Sequence, residues 1–402
     1  MRISTSQIFD AGVNKLMNIQ SSLYKTQNQL SSGQRITTAE DDPVGASQVL
    51  LDTQSLNVIE QYADNQKNAS SHLAFEEDIL KSVVEAILYV RERGLAAQNA
   101  ALSDEQRAYF SVDIQARLDA LFALANSRDS NSHYIFSGYE GNVQAFQKQS
   151  TGEILYAGDD GQRVLQVDSS RQIAIGDSGR DVFVNNPTGN GVFETGANAA
   201  NTGSGVIYPS SVNDPSAWTS SKYEIQFTSA AAYDIVDISS MTTIASGVPY
   251  TDGAAITGIP GITLSISGQP AVGDVFTVGP SVNRSVFETL RALADAFSVP
   301  VSGNPALAAE VRNTVVANMM NLDGALNNVL RVQATVGTRM HELKDLGEIA
   351  QDLNVHYQEK ISRVRDLDYA EAISRFTKQT TQLEAAQKSF ASITSLSLFN
   401  YI

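Results

Sequence analysis

Apolar residues recur at helical spacing at both ends of the chain and lose that spacing in the middle. Near the start, Val13, Leu16, Leu23 and Leu30 fall on a heptad whose other seam positions are Gln20 and Gln27. That pattern predicts a helix with a half-polar seam. Ser31-Ser32-Gly33 closes it, because glycine tolerates the left-handed conformation that follows a helix end. Asp41-Asp42-Pro43 predicts a restart, with Asp42 accepting from free amides and Pro43 at the first helical position. The second helix is expected from Val44 to Leu95, with Ile79, Val83, Ile87 and Val90 on one stripe. Ser103 and Gln106 have capping-box spacing. They open a third helix that carries Phe110, Ile114, Leu118 and Leu121 and should fade near Asn131.

The C-terminal part repeats the scheme. Ser285 and Glu288 predict another capping box, and Asn304-Pro305 opens a long run without further proline. Spacing of three and four from Val311 to Leu367 gives 17 positions, 14 of them apolar or Tyr. A phase held that long predicts a coiled-coil-type helix of roughly 85 Å at about 1.5 Å per residue. The last segment carries Tyr369, Ile373, Phe376, Leu383 and Phe390, with Thr380 and Gln387 also at seam positions. Both terminal seams are leaky. Short amphipathic helices of this kind need something to pack on.

Between these ends the pattern becomes that of strands and turns. Of 27 glycines, 19 lie between Gly138 and Gly279, and seven of ten prolines lie between Pro187 and Pro280. Proline and glycine keep long helices out of that stretch. Strand-like runs are Ile154–Tyr156, Val164–Val167, Tyr223–Phe227, Tyr233–Ile238, Ile262–Ile266 and Val275–Val278. The first two flank Gly158-Asp159-Asp160-Gly161, which predicts a hairpin turn. Residues 185–205, rich in Asn, Gly, Thr and Ala, read as a surface loop. The expected fold is mainly α with a β insert: an elongated, long antiparallel helical bundle from the N- and C-terminal segments, with a central β-rich outer domain. The expected divisions are 1–40 with 366–402 as terminal helical segments, 41–140 with 283–365 as a helical rod, and 141–282 as the β-rich domain.

Composition narrows what such a molecule does. The net charge is −16, and residues 138–282 hold 14 acidic against 5 basic residues. A duplex phosphate backbone or an anionic membrane surface rewards clustered cations instead, so neither is an expected partner. There is no cysteine, hence no disulfide, thiolate metal site or thiol nucleophile. The opening Met-Arg-Ile-Ser-Thr-Ser-Gln lacks the apolar stretch of a cleaved secretory leader. His341-Glu342 lacks the second histidine of a zinc-protease helix. No Gly-x-Ser-x-Gly elbow or Gly-Lys phosphate loop is present. Asp159-Asp160-Gly161 lacks the alternating oxygen ligands of a calcium loop. No catalytic residue, cofactor or metal ligand is therefore expected, and the chain reads as a non-enzyme.

Two longer motifs carry a resemblance. Leu30-Ser31-Ser32-Gly33-Gln34-Arg35-Ile36 with Ala39-Glu40-Asp41-Asp42-Pro43 resembles the N-terminal signature of flagellins and their relatives. Asp368-Tyr369-Ala370-Glu371-Ala372, continued by Thr377 to Phe390, resembles the matching C-terminal signature. The ending Leu396-Ser397-Leu398-Phe399-Asn400-Tyr401-Ile402 and the opening Met-Arg-Ile-Ser-Thr resemble the hook–filament junction branch of that family. So does Tyr134-Ile135-Phe136-Ser137-Gly138, which looks like the strand leaving its helical domain. Thr37-Thr38 stands where Asn-Ser is commoner, and Pro43-Val44 where many flagellins have Ala-Ala. The resemblance covers residues 1–140 and 283–402, and the middle has no useful match.

The resemblance implies a structural subunit of the bacterial flagellum whose termini pair as the innermost layer around a central channel. Its assembly interface would include Val13, Leu16, Leu23, Leu30, Arg35, Asp41 and Asp42 near the start. Near the end it would include Tyr369, Ile373, Phe376, Leu383, Phe390, Leu396 and Phe399. It implies as partners hook-associated protein 1, flagellin, copies of the chain itself, a cytosolic export chaperone and the flagellar type III export apparatus. It also implies an extracellular location reached without a cleaved signal peptide. Two alternatives stand beside the junction role: a flagellin building the filament, and an adhesin or glycan-binding role of residues 145–282.

Overall fold

The computed structural model describes residues 5–97 and 102–395. Helix α1 (Thr5–Ser32) stops where Gly33 takes φ +69° and its N–H donates to the Gln29 carbonyl at 2.9 Å. Asp42 Oδ1 accepts the Gly45 N–H at 2.9 Å and starts α2 (Pro43–Ala97). Ser103 and Gln106 complete their capping box in both directions at the head of α3 (Asp104–Ala125). That helix ends well before Asn131. Asn126 turns its side chain onto the backbone of Phe146, accepting from its N–H at 2.9 Å and donating to its carbonyl at 3.1 Å. A bond from residue 126 to residue 146 leaves no trace in local sequence. Residues 134–138 are turn rather than strand, with Tyr134 in an isolated bridge to Arg128.

The strands begin with β1 (Phe146–Lys148) and β2 (Ile154–Tyr156), then β3 (Val164–Asp168) and β4 (Arg171–Ala174). After a π-helical turn at Arg180–Val184 come β5 (Asn186–Pro187), β6 (Phe193–Ala197), β7 (Val206–Val212), β8 (Tyr223–Ser229) and β9 (Ala232–Asp237). These are followed by β10 (Thr242–Pro249), β11 (Ala255–Ile256), β12 (Ile262–Ser267), β13 (Val275–Pro280) and β14 (Asn283–Arg284). Helices α4 (Val286–Ser298), α5 (Pro305–Arg365) and α6 (Tyr369–Ser395) complete the order. Ser285 caps α4 through the Phe287 N–H, one residue short of the box geometry, and Asn304 Oδ1 caps α5 through Leu307 at 3.1 Å.

Two expectations about the middle fail. The runs 154–156 and 164–167 do not form one hairpin: β2 pairs with β1, and β3 with β4. The Asp159 carboxylate between them is occupied instead, accepting the N–H groups of Tyr139, Glu140 and Gly161. The stretch 185–205 is not all loop, because β6 lies within it, antiparallel to β13, with Phe193 buried. Long-range pairing overrode a composition that favours loops.

Two compact units divide the described residues, one within 1–65 and 345–402, the other within 66–344. In the second, strands order β10-β9-β8-β13-β6 in one antiparallel sheet and β11-β12-β7 in another. Alternate residues of β8 and β12 turn inward, so Ile225, Phe227, Leu264, Ile266 and Phe276 share one core. The helical core of the same unit takes Leu80, Val83, Ile87 and Val90 from α2 and Ile114, Leu118 and Leu121 from α3. Leu293 and Phe297 of α4 are buried there too, as are Val315, Leu322, Val329 and Val336 of α5. The α5 stripe keeps its expected phase, buried or half-buried from Val311 to Leu367 except at Leu353, which is exposed, while Ile361 joins it.

Candidate assembly interface

The described members of the expected interface lie in the first unit, at a corner where the chain reverses twice and along the helix pair that leaves it. After Gly33 the backbone runs extended beside the end of α5. Arg35 N–H donates to the Arg365 carbonyl at 2.7 Å, and Leu367 N–H donates to the Gly33 carbonyl at 3.0 Å. Between them Gln34 and Asp366 form an antiparallel bridge. The Arg35 guanidinium closes this clasp, reaching the Val364 carbonyl at 2.8 Å and Asp42 Oδ2 at 3.2 Å. Buried Gln29 donates to the Arg35 carbonyl at 2.6 Å.

Two carboxylates beside the clasp have different tasks. Asp41 ties the turn: its Oδ2 accepts from Thr37 N–H, Thr37 Oγ1 and Thr38 N–H at 2.8–2.9 Å, and its Oδ1 meets Lys25 Nζ at 2.6 Å. The Lys25 bond, then the Thr38 and Thr37 donors, hold its pKa far below the usual carboxylate range. Asp42 is the helix cap, lowered first by the Gly45 N–H and then by Arg35. Asp368 plays the same part for α6, accepting from Ala370 and Glu371. Both helix starts therefore sit beside both helix ends, and one short bridge sets the two turns.

From this corner α1 and α6 run together. Gly33 meets Tyr369 at one end, and Gly12 meets Phe390 at the other, so the pair is antiparallel. A methyl group at Gly12 would lie 2.7 Å from the Phe390 ring, which also touches Phe9 at 5.1 Å between centroids. Glycine is what lets the ring lie against the helix backbone. Val13, Leu16, Leu23 and Leu30 are half-buried, as are Phe376, Leu383 and Phe390. The remaining seam positions differ from expectation. Gln20 and Gln27 face solvent, and Ile19 and Thr26 take their places. Tyr369 and Ile373 are 52% and 54% exposed, while Ala372 is buried at the seam. Met17 and Tyr24 are also more than half exposed. Leu396 and Phe399 lie outside the described residues.

Sequence reading did not find Gln29, nor the ion pair between Lys360 and Asp52 at 2.9 Å that ties α5 to α2 within this unit. Asp52 is held below the ordinary carboxylate pKa by Gln48 and then by Lys360. Nothing local marks a pair more than 300 positions apart in sequence. The arrangement has two helices joined along a thin seam, with bulky apolar side chains left facing outward.

Comparison with known proteins agrees with this geometry. Residues 3–141 match the bacterial flagellin N-terminal helical region, and residues 319–402 match the bacterial flagellin C-terminal helical region. Flagellar hook-associated protein 3 of Salmonella typhimurium is 27% identical over 399 residues, covering 99% of each chain. The chain belongs to the flagellin family, in its hook-associated protein 3 branch. The solved junction protein FlgL of Legionella pneumophila superposes with TM-score 0.71 at 29% identity, over 80% of this chain and 100% of that one. Flagellins match less of it: a Salmonella phase 1 flagellin is 28% identical over 135 residues, 34% of this chain and 27% of its own. Residues 196–280 match the D2-like domain of flagellar hook-associated protein 1. Members of the hook-associated protein 3 branch are structural flagellar components, and this chain has their helix–β–helix order.

Proposed function

We propose that the chain is an axial subunit of the flagellar junction, joining hook-associated protein 1 on one side to flagellin on the other. Its terminal helices become fully covered only among neighbouring copies. The single observation that carries this reading is the α1–α6 pair. Its seam is thin, with polar Thr26, Gln29 and Gln379 among the covered residues, while Met17, Tyr24, Tyr369 and Ile373 stay exposed. A two-helix unit with that much uncovered apolar surface gains by burying it, at about 25 cal/mol per Å² of apolar area. The clasp at Arg35, Asp41 and Asp42 then fixes the two turns that lead into and out of that pair. In this reading residues 1–40 with 366–402 form the inner layer, 41–140 with 283–365 the rod, and 141–282 the outward domain.

Export in an unfolded form through the type III apparatus, with a cytosolic chaperone holding the C-terminal helix beforehand, fits such a chain. Without disulfides, threading breaks no covalent bond. The terminal helices order on arrival, where burial offsets the entropy of ordering. The runner-up is a filament flagellin. A deletion strain separates the two: loss of a junction subunit sheds intact flagellin into the medium, whereas loss of the filament subunit removes the flagellin itself. Growth of long filaments from the purified chain alone would favour the runner-up.

A further inference from the structure

Glu76 lies midway along α2, on the helical face that meets the base of the β region, and is 2% exposed. Its Oε1 accepts the Asp177 N–H at 3.1 Å, while its Oε2 is buried without a hydrogen-bond partner. Two charged groups face it: Asp177 of the 175–179 segment and Arg339 of α5. Asp177 is itself buried and already has its counter-ion. Arg339 donates to both its oxygens at 3.0 Å, and Gln162 adds a bond to Oδ1 at 2.7 Å. One guanidinium thus neutralises one carboxylate, and a second ionised carboxylate would stand uncompensated in a dry site.

The segment held there is a structural peg. Gly179 N–H donates to the Phe136 carbonyl at 2.8 Å, and Asn328 of α5 donates to the Asp181 carbonyl at 2.6 Å. Phe183 of the π-helical turn meets Phe136 and Phe146 edge-on and stacks on Phe287. We propose that Glu76 is a proton-operated latch: protonated, it holds the 175–184 segment on α2 and α5, and giving that proton to solvent favours the segment's release. Burial first, and Asp177 second, push the Glu76 carboxyl up to about 8, against 4.5 for a free glutamate. Release exposes Glu76 to water, where it ionises in the ordinary range. Opening therefore expels one proton at every pH between those two values and grows easier as pH rises.

The test is amide exchange on the full-length protein, read by mass spectrometry on peptides covering 175–184 from pH 5.5 to 9. Rates are normalised for base-catalysed chemical exchange, and peptides from β8 and β9 serve as reference. Wild type should show opening of the 175–184 peptides increasing up to tenfold per pH unit between pH 5.5 and 7.5 and levelling above 8. Glu76→Gln, which keeps the Oε1 acceptor, should show no such slope. A flat wild-type profile, or the same slope in Glu76→Gln, would overturn the proposal. If that variant does not fold, carbon-13 titration of the wild-type Glu76 carboxyl decides: a midpoint above 6.5 supports the latch, and one at or below that value refutes it.

Discussion

Replacing Gly33 by alanine puts a methyl group where the corner between α1 and α2 has little room for one. Two effects compete. Gly33 sits at φ +69°, where an L side chain costs about 1–2 kcal/mol. The new methyl would also stand 2.8 Å from the Tyr369 hydroxyl. That hydroxyl ends a half-exposed side chain that can swing outward, so the contact is the cheaper problem. Backbone strain should dominate, with a small offset from the stiffer unfolded chain. The net loss is about 1 kcal/mol, roughly a fivefold drop in protection of the clasp amides. Exchange of the Leu367 and Arg35 N–H groups measures it, since both cross the clasp. Tyr369→Phe alone should change little, and Gly33→Ala with Tyr369→Phe should keep most of the loss. Unchanged Leu367 protection in Gly33→Ala, or full rescue by Tyr369→Phe, would refute the reasoning.

Three further outcomes follow from other sites. Phe276 is fully buried among Phe227 and the β8–β12 core, so Phe276→Ala should cost about 3–5 kcal/mol in denaturant unfolding. Asn328→Ala strips a donor from the Asp181 and Asn186 oxygens and should cost about 1–3 kcal/mol, read from the same transition. Asp41 is bound more tightly as an anion when folded, so its stabilisation is complete above its free pKa of 3.8 and declines as pH falls below that value. Thr37 and Thr38 amide protection in wild type should therefore fall between pH 4 and 2, and Asp41→Asn should lose that dependence.

Local chemistry was legible in the sequence, and long-range chemistry was not. Asp42, Ser103 and Asn304 cap the helices that their spacing announces, because a cap bond closes within three residues. The α1 seam was half right. A fixed heptad chose Gln20 and Gln27, but the helix turns Ile19 and Thr26 inward. Asp159 shows the limit of turn signals: its neighbours read as a hairpin, yet its oxygens serve amides near residue 140. Of the clasp residues, Arg35 and Asp41 were named through resemblance alone, whereas Asp42 was also legible as a cap. Only the fold reveals that Arg35 reaches Val364, and that Tyr369 and Ile373 stand outside the helix pair.

The central claim is that apolar side chains left bare on the terminal helix pair are covered by neighbours in the flagellum. Met17→Glu with Ile373→Glu alters two exposed positions, so the monomer should melt as wild type does. In a strain whose only copy carries both changes, the measurement is flagellin released into the medium against flagellin held on cells. The account predicts that the variant is exported, fails to hold the junction, and leaves most flagellin in the medium. Filaments of normal number and length on those cells would contradict it.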